Sequence, residues 1–312
     1  MSAASAVEPP SALSPASLQA EALAEVSWVL IAGATVVFVL TMALVAASFA
    51  RRKPAVPTGW WVFGGGVALP VAVLSALLLY STWRTHGLDQ APAAPLVIGL
   101  TGHLWWWEVR YQDPASGREV ALANELRIPV GRPVQLGLAS ADVIHSVWVP
   151  PLGGKMDLVP GRVNRLVITA TRAGVHRGQC AEFCGEQHAR MALHVVALPP
   201  AEFDAWLARQ AQPAAAPGDA ALERGRRAFV ESGCAACHDV RGVSQGARGG
   251  PDLTHVGSRL FLGAGVLRNE AGAMARWITE IQQLKPGARM PSFTQLDPAT
   301  RTALADYLAQ LR

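Results

Sequence analysis

No lysine or arginine occurs before residue 51, and none of the 312 residues belongs to a long basic run or stripe. The formal charge of +4 and the isoelectric point near 9.1 are therefore scattered. Nucleic acid, which is bound through clustered positive charge, is excluded as a partner. The same absence leaves the first apolar run without the basic segment that opens a cleaved signal peptide, so that run reads as a retained anchor. Cysteine is also scarce. The four present fall in two close pairs, Cys180 with Cys184 and Cys234 with Cys237, each with histidine and methionine nearby. That arrangement suits attachment of a metal or prosthetic group better than a disulfide framework. There is no internal repeat, no glycine loop that would cradle phosphate, and no nucleophile with a base beside it.

Charge is also missing from two early stretches, Val26 to Ala50 and Pro54 to Trp83. Each exceeds the ~20 apolar residues that cross a bilayer. They predict a transmembrane hairpin over residues 26–84, with helices at about 26–50 and 59–83. The Arg51-Arg52-Lys53 loop between them faces the cytoplasm and both termini lie outside it. Residues 1–25, rich in Ala, Ser and Pro, read as a loosely ordered leader. From 95 to 200, short alternating or β-branched stretches (Leu96–Leu100, Glu108–Tyr111, Pro133–Leu138, Arg165–Ala170, Ala192–Leu198) are separated by Gly, Pro and Asp-Pro, the pattern of a β-sandwich or barrel. Residues 208–220 read as a semi-extended linker. A small all-α domain fills 221–312; Leu304, Tyr307, Leu308 and Leu311 follow helical spacing, with Asp297 as N-cap and Pro298 at the first helical position.

The densest chemistry lies in Cys180-Ala181-Glu182-Phe183-Cys184-Gly185-Glu186-Gln187-His188-Ala189-Arg190-Met191, with a further histidine in Asp142-Val143-Ile144-His145-Ser146. Thiolates, imidazoles and a thioether together are the donors copper prefers. The competing reading, a zinc site of two Cys and two His, leaves Met191 without use and has the wrong knuckle spacing. A mononuclear blue-copper site needs one thiolate; a second on the same loop can bridge two ions. The second constellation, Cys234-Ala235-Ala236-Cys237-His238, is the c-type haem attachment sequence, in which two thiols add to vinyl groups and the histidine ligates iron. A helical lead-in at Leu222–Ser232 and Met290, in Lys285-Pro286-Gly287-Ala288-Arg289-Met290-Pro291, favour it over a redox or half-zinc motif. His86, His103, His176, His194 and His255 read as solvated or structural, with His255 the rival axial ligand to Met290.

These residues resemble two families. The first loop is similar to the dinuclear copper A centre of cytochrome oxidase subunit II, which is built on a cupredoxin β-barrel. The resemblance implies that Cys180 and Cys184 bridge two coppers, that His145 and His188 each cap one, that Met191 is a weak ligand, and that Glu182 ligates through its carbonyl. It also implies a role for the Glu182 side chain at a magnesium ion on the interface with subunit I. Gly102-His103-Leu104-Trp105-Trp106-Trp107 and Gly154-Lys155-Met156-Asp157-Leu158-Val159-Pro160-Gly161-Arg162 support the match. Trp105 falls at the family's electron entry point, and Lys155, Asp157 and Arg162 in its subunit I contact. The C-terminal part resembles class I cytochrome c, which makes Met290 the distal ligand and the Pro251 carbonyl the group that orients His238. The sequence departs from the family at Phe63, where many members carry a proton-path glutamate. It departs again at His176-Arg177, which replaces a tyrosine and has no assigned role.

The resemblance implies a multidomain membrane protein: a two-helix hairpin, a cupredoxin-like β-barrel and an all-α cytochrome c domain. Its cofactors are two coppers, one covalent haem c and a magnesium ion. Its partners are subunit I, subunit III, an external cytochrome c or membrane-bound donor, and the lipid bilayer. The implied function is electron input to a respiratory terminal oxidase of the bacterial inner membrane, with the metal domains on the periplasmic side; subunit I reduces dioxygen and translocates protons. Alternatives are the corresponding subunit of a copper A-containing nitric oxide reductase, and a free-standing membrane-anchored electron carrier. With three basic residues in the short loop and none before the first helix, both termini are predicted outside the cytoplasm. A reporter active only in the cytoplasm, fused after Arg312, should be silent; an active fusion contradicts the topology.

Overall fold

The computed structural model of the chain describes residues 7–49, 57–88, 96–114, 117–247 and 249–312. The Arg51-Arg52-Lys53 loop lies outside them. The two spans are α1 (Leu18–Ser48) and α2 (Trp60–Thr85), 31 and 26 residues long, and the apolar stretch of each is unburied by protein. The start of α2, Trp60–Ala68, is wound more widely than an α-helix around Gly64-Gly65-Gly66. At 1.5 Å per residue, α1 is about 46 Å long, well beyond a hydrocarbon core of ~30 Å. The surplus lies at its N-terminus. Glu25 receives the Arg84 Nε at 2.7 Å and the Tyr80 hydroxyl at 3.0 Å, tying α1 to α2.

This surplus corrects the expectation of a loosely ordered leader. α1 begins at Leu18, earlier than the predicted 26, because Ser17 caps it: its Oγ accepts from the Ala20 amide at 3.0 Å and donates to the Leu152 carbonyl at 2.8 Å. The Gln19 Oε1 accepts from the Thr169 amide at 3.0 Å, and the Thr171 hydroxyl donates to Glu21 at 3.0 Å. Ala16, Ala20, Ala22 and Ala24 are buried. Upstream, β1 (Val7–Glu8) pairs parallel with Val175 and His176. Small side chains let this segment pack closely against the β-domain.

That domain is two sheets face to face. One runs β4 (Glu119–Ala123), β3 (Trp106–Gln112), β2 (Leu96–His103), β6 (Val134–Ser140), β9 (Asn164–Ile168). The other runs β5 (Glu125–Pro129), β11 (Ala192–Leu198), β10 (Gly174–Cys180), β7 (His145–Trp148), β8 (Met156–Leu158), with β1 added on β10. Alternate residues point to opposite faces, so Ile98 and Leu100, Trp107, Val109 and Tyr111, and Val134, Leu136 and Leu138 fill the space between the sheets. Helix α3 (Pro200–Gln210) closes the sandwich with Phe203, Trp206 and Leu207. Trp206 meets the Tyr111 ring edge-on at 5.4 Å and carries the Arg127 guanidinium over its face at 5.0 Å.

Helix α3 takes up the start of the predicted linker, and what remains is fastened to the second unit. The Ala214 amide donates to the Arg241 carbonyl at 2.9 Å, and Arg241 donates to the Gln210 carbonyl. The second unit holds α4 (Ala220–Glu231), a short pair β12 (Phe261–Leu262) and β13 (Leu267–Arg268), α5 (Ala273–Leu284) and α6 (Pro298–Gln310). Asp219 and Asp297 cap α4 and α6 by accepting from the second and third amides beyond them. Leu304, Tyr307, Leu308 and Leu311 are buried, as their spacing predicts. Where α4 crosses α6, a Cβ on Gly225 would lie 2.0 Å from the Ala303 carbonyl oxygen and 2.6 Å from the Tyr307 Cβ.

Because the obstruction at Gly225 is backbone, Gly225→Ala must separate α4 from α6 and is expected to destabilise this unit by about 1–3 kcal/mol. Thermal unfolding of the full chain should show the transition of the α-helical unit moved down and that of the β-domain unmoved. Coincident loss of both, or of neither, contradicts this.

Two candidate metal centres joined at a tryptophan

The loop between β10 and β11 brings the first set of donors together. Cys180 is the last residue of β10 and Met191 precedes β11, so the sandwich itself sets both ends of the loop. The Cys180 and Cys184 sulfurs lie 3.7 Å apart. Cys180 faces the His145 Nδ1 at 3.9 Å and the Glu182 carbonyl at 3.2 Å; Cys184 faces the His188 Nδ1 at 3.6 Å and the Met191 sulfur at 3.8 Å. His145, Cys180, Cys184 and Met191 are buried. All six donors named from the sequence thus converge, and two soft sulfurs flanked by imidazoles, a thioether and a carbonyl suit copper. The thiols are electrostatically linked. A hydrogen bond from Cys184 lowers the Cys180 thiol, while the same interaction and burial push Cys184 up.

Asp142 completes this arrangement. Its Oδ1 accepts from the His145 Nε2 at 2.8 Å, which turns Nδ1 toward sulfur, and its Oδ2 accepts from the Leu104 amide at 2.9 Å. Burial would raise the Asp142 carboxyl, but these bonds outweigh it and the group is held below its usual range. For His145, burial is likewise outweighed, by Cys180 and Asp142, and its pKa is raised.

The second set lines an apolar cavity of about 290 Å³ that includes Cys234, Cys237, His238, Pro251, Met290, Phe229, Trp277 and Ile278. The His238 Nδ1 donates to the Pro251 carbonyl at 2.7 Å, leaving Nε2 free for a ligand. Burial pulls the His238 pKa down, which favours the neutral, ligating form. A Cβ on Gly250 would sit 2.5 Å from the His238 ring, and one on Gly249 would sit 3.0 Å from the Cys237 sulfur, so bare backbone walls the attachment sequence. A flat, covalently attached haem fits these donors. His255 does not compete: its Nε2 lies 3.1 Å from the Gln212 carbonyl, on the linker.

Trp105 belongs to both sets. Its Nε1 donates to the Cys184 carbonyl at 2.7 Å, while its side chain, with Trp106, lines the cavity of the second unit. The units meet around it. The Lys285 Nζ donates to the carbonyls of Trp105 at 2.7 Å, Arg190 at 2.8 Å and Gly263 at 2.9 Å. The Ala192 amide donates to the Ala264 carbonyl at 2.9 Å, and the Leu260 amide to Glu125 at 2.9 Å. The His194 ring stacks on Phe261 at 4.1 Å. Burial pulls the Lys285 ammonium down to about 7.

Among the other residues singled out, Lys155 faces the exposed Glu182 carboxylate at 3.7 Å. His103 stacks on Trp106 at 4.3 Å. His176 is buried in β10, and Arg177 stands in register with His194. Sequence reasoning gave no role to Asp142 or Lys285, although both stood inside quoted motifs. Asp142, three residues before a ligand histidine, was the more readable of the two.

The sandwich and the helical unit define a class: a cupredoxin-like domain behind two apolar helices, followed by a cytochrome c domain. Residues 114–198 match the family profile of the periplasmic domain of cytochrome c oxidase subunit II, and residues 222–312 that of cytochrome c. Cytochrome c oxidase subunit 2 of Alkalihalophilus pseudofirmus is 37% identical over 215 residues, covering 69% of this chain and 61% of that relative. The Bacillus subtilis protein of the same name is 30% identical over 256 residues, covering 79% and 70%. The periplasmic domain of subunit II of cytochrome oxidase from Bradyrhizobium japonicum is 32% identical, covers 38% of this chain and 95% of its own, and has a TM-score of 0.35. The chain belongs to the cytochrome c oxidase subunit 2 family.

Groups that orient a metal-bound histidine typically change metal affinity 10- to 100-fold when removed. Asp142→Asn is therefore expected to weaken copper retention by about that factor while the β-domain keeps its thermal stability. Competition with a copper chelator measures it; unchanged retention shows that His145 is held by packing alone.

Proposed function

We propose that this chain is the electron-input subunit of a respiratory haem–copper oxidase, carrying covalent haem c on Cys234 and Cys237 and dinuclear copper A on Cys180, Cys184, His145, His188, Met191 and the Glu182 carbonyl. The observation that carries the reading is Trp105, hydrogen-bonded to the Cys184 carbonyl and lining the cavity of Cys234 and Cys237. When bound, both groups would supply one-electron chemistry, and neither would need a substrate in this chain.

The chain's residues hold and connect the two sites. His238, oriented by the Pro251 carbonyl, and Met290 would ligate the haem iron, a combination that raises reduction potential relative to two nitrogens. Asp142 fixes the His145 ring. Docking replaces a bimolecular encounter with a high effective concentration. Electrons pass from an external cytochrome c or membrane-bound donor to the cytochrome unit, then by way of Trp105 to the copper loop and on to subunit I, where dioxygen is reduced and protons are translocated. The exposed Phe183 and the Lys155–Arg162 segment face subunit I, with the Glu182 carboxylate toward a magnesium ion. The helices hold the assembly in a bacterial inner membrane, metal domains outward, beside subunits I and III.

Metal analysis should find two coppers and one covalent haem per chain; zinc in place of copper, or haem extractable by acid acetone, refutes the assignment. Met290→Ala should slow reduction of copper by external cytochrome c with the copper spectrum intact. Cys184→Ser should leave the haem reducible and stop electrons there. Stopped-flow spectra of each centre measure both; copper filling at the parent rate in the Met290 variant makes the haem a side branch.

A further inference from the structure

We propose that Lys285 is the positioning residue that locks the cytochrome unit in register on the copper loop, its ammonium acting as a three-pointed clasp. Lys285 is 4% exposed, although lysine is almost never fully buried without a charged partner. Among the described residues no carboxylate pairs with it. Its three protons instead meet three backbone carbonyls at 2.7, 2.8 and 2.9 Å, those of Trp105, Arg190 and Gly263. An ammonium has three donors and no acceptor, so the set is complete.

The placement of these carbonyls gives the clasp its meaning. Trp105 lies between β2 and β3, Arg190 immediately precedes Met191 on the copper loop, and Gly263 follows β12 in the cytochrome unit. One cation therefore joins Trp105, the end of the β10–β11 loop and the Gly263 turn after β12, and its own backbone leads through Pro286 and Gly287 to Met290. The join is reciprocal. The Arg190 Nη1 donates at 2.6 Å to the carbonyl of Leu284, the last residue of α5. A guanidinium there also meets the negative end of the helix dipole. Side chain from each unit thus bonds backbone of the other, at neighbouring positions. Backbone carbonyls are fixed in direction, so this join sets an orientation as well as an attraction. A buried methionine would fill the same space and leave three carbonyls unpaired.

The consequence for electron transfer rests on the function proposed above; the clasp itself does not. The test uses the full chain in detergent, with its cofactors, carrying Lys285→Met. Hydrogen exchange in peptides covering Trp105 and Arg190 should quicken about tenfold or more, the factor that one hydrogen bond to a charged group accounts for. Haem and copper spectra and the haem potential should stay at parent values. Transfer from haem to copper should slow by a similar factor and become sensitive to solvent viscosity, because docking then gates it. Arg190→Gln, which removes the reciprocal bond from the other unit, should act in the same direction and guards against misfolding of the first variant. Unchanged exchange in both variants overturns the clasp, as does an opened interface with unchanged transfer. Absence of the copper or haem spectrum from the parent chain would instead refute the proposed function, and the exchange result would still judge the clasp.

Discussion

Trp105 is held from several sides at once. Its indole Nε1 is spent on the carbonyl of Cys184, its ring closes the cavity of Cys234 and Cys237, and its own carbonyl receives Lys285. Leu104, just before it, is pinned by the same Asp142 that orients His145. A single short turn between two strands is thus bonded to a ligand loop, to a ligand's supporting carboxylate and to the second domain. Movement of this turn would disturb both centres together. On the function proposed above, that coupling would fix the separation between donor and acceptor.

Of the two apolar helices, α1 is bonded directly to this part. The first turns of α1 lie on the β-domain, with Ser17, Gln19 and Glu21 all bonded to it and alanines filling the contact. Beyond them Glu25 grips Arg84 and Tyr80 of α2. The β-domain is therefore held against the continuous helix α1, whose apolar stretch runs on beyond it. Glycine at 225 and the two capping aspartates do comparable work in the second unit, fixing how α4 and α6 cross behind the cavity.

What could be read from the sequence was what is local in it. The loop from Cys180 to Met191 and the Cys234–His238 motif carry most of their donors within a dozen residues, and two uncharged runs need no partner to be recognised. Five of the strands were legible because they alternate or, like β11, carry β-branched apolar residues; β7 and β8 are too short to show either, and β10 mixes glycine with polar residues. Helix α3 was readable in principle, since Phe203, Trp206, Leu207 and Gln210 follow helical spacing, but most of it fell in the gap between the predicted barrel, ending at 200, and the predicted linker, starting at 208. The leader was misjudged because alanine and serine are common both in disordered chains and in close-packed contacts, and only the surface opposite decides which. Lys285 was beyond reach: its partners are backbone carbonyls, two of them at positions 105 and 190, and backbone leaves no trace in sequence.

If the proposed function holds, the haem and copper centres form one docked unit at Trp105. The direct measurement is pulsed electron paramagnetic resonance of the frozen, fully oxidised chain, reading the dipolar distance between the ferric haem and the copper pair. A single narrow distance distribution, unchanged when glycerol or salt is varied, is the predicted result. A broad distribution, or one that shifts with these conditions, would show two units swinging on a linker and would contradict the account.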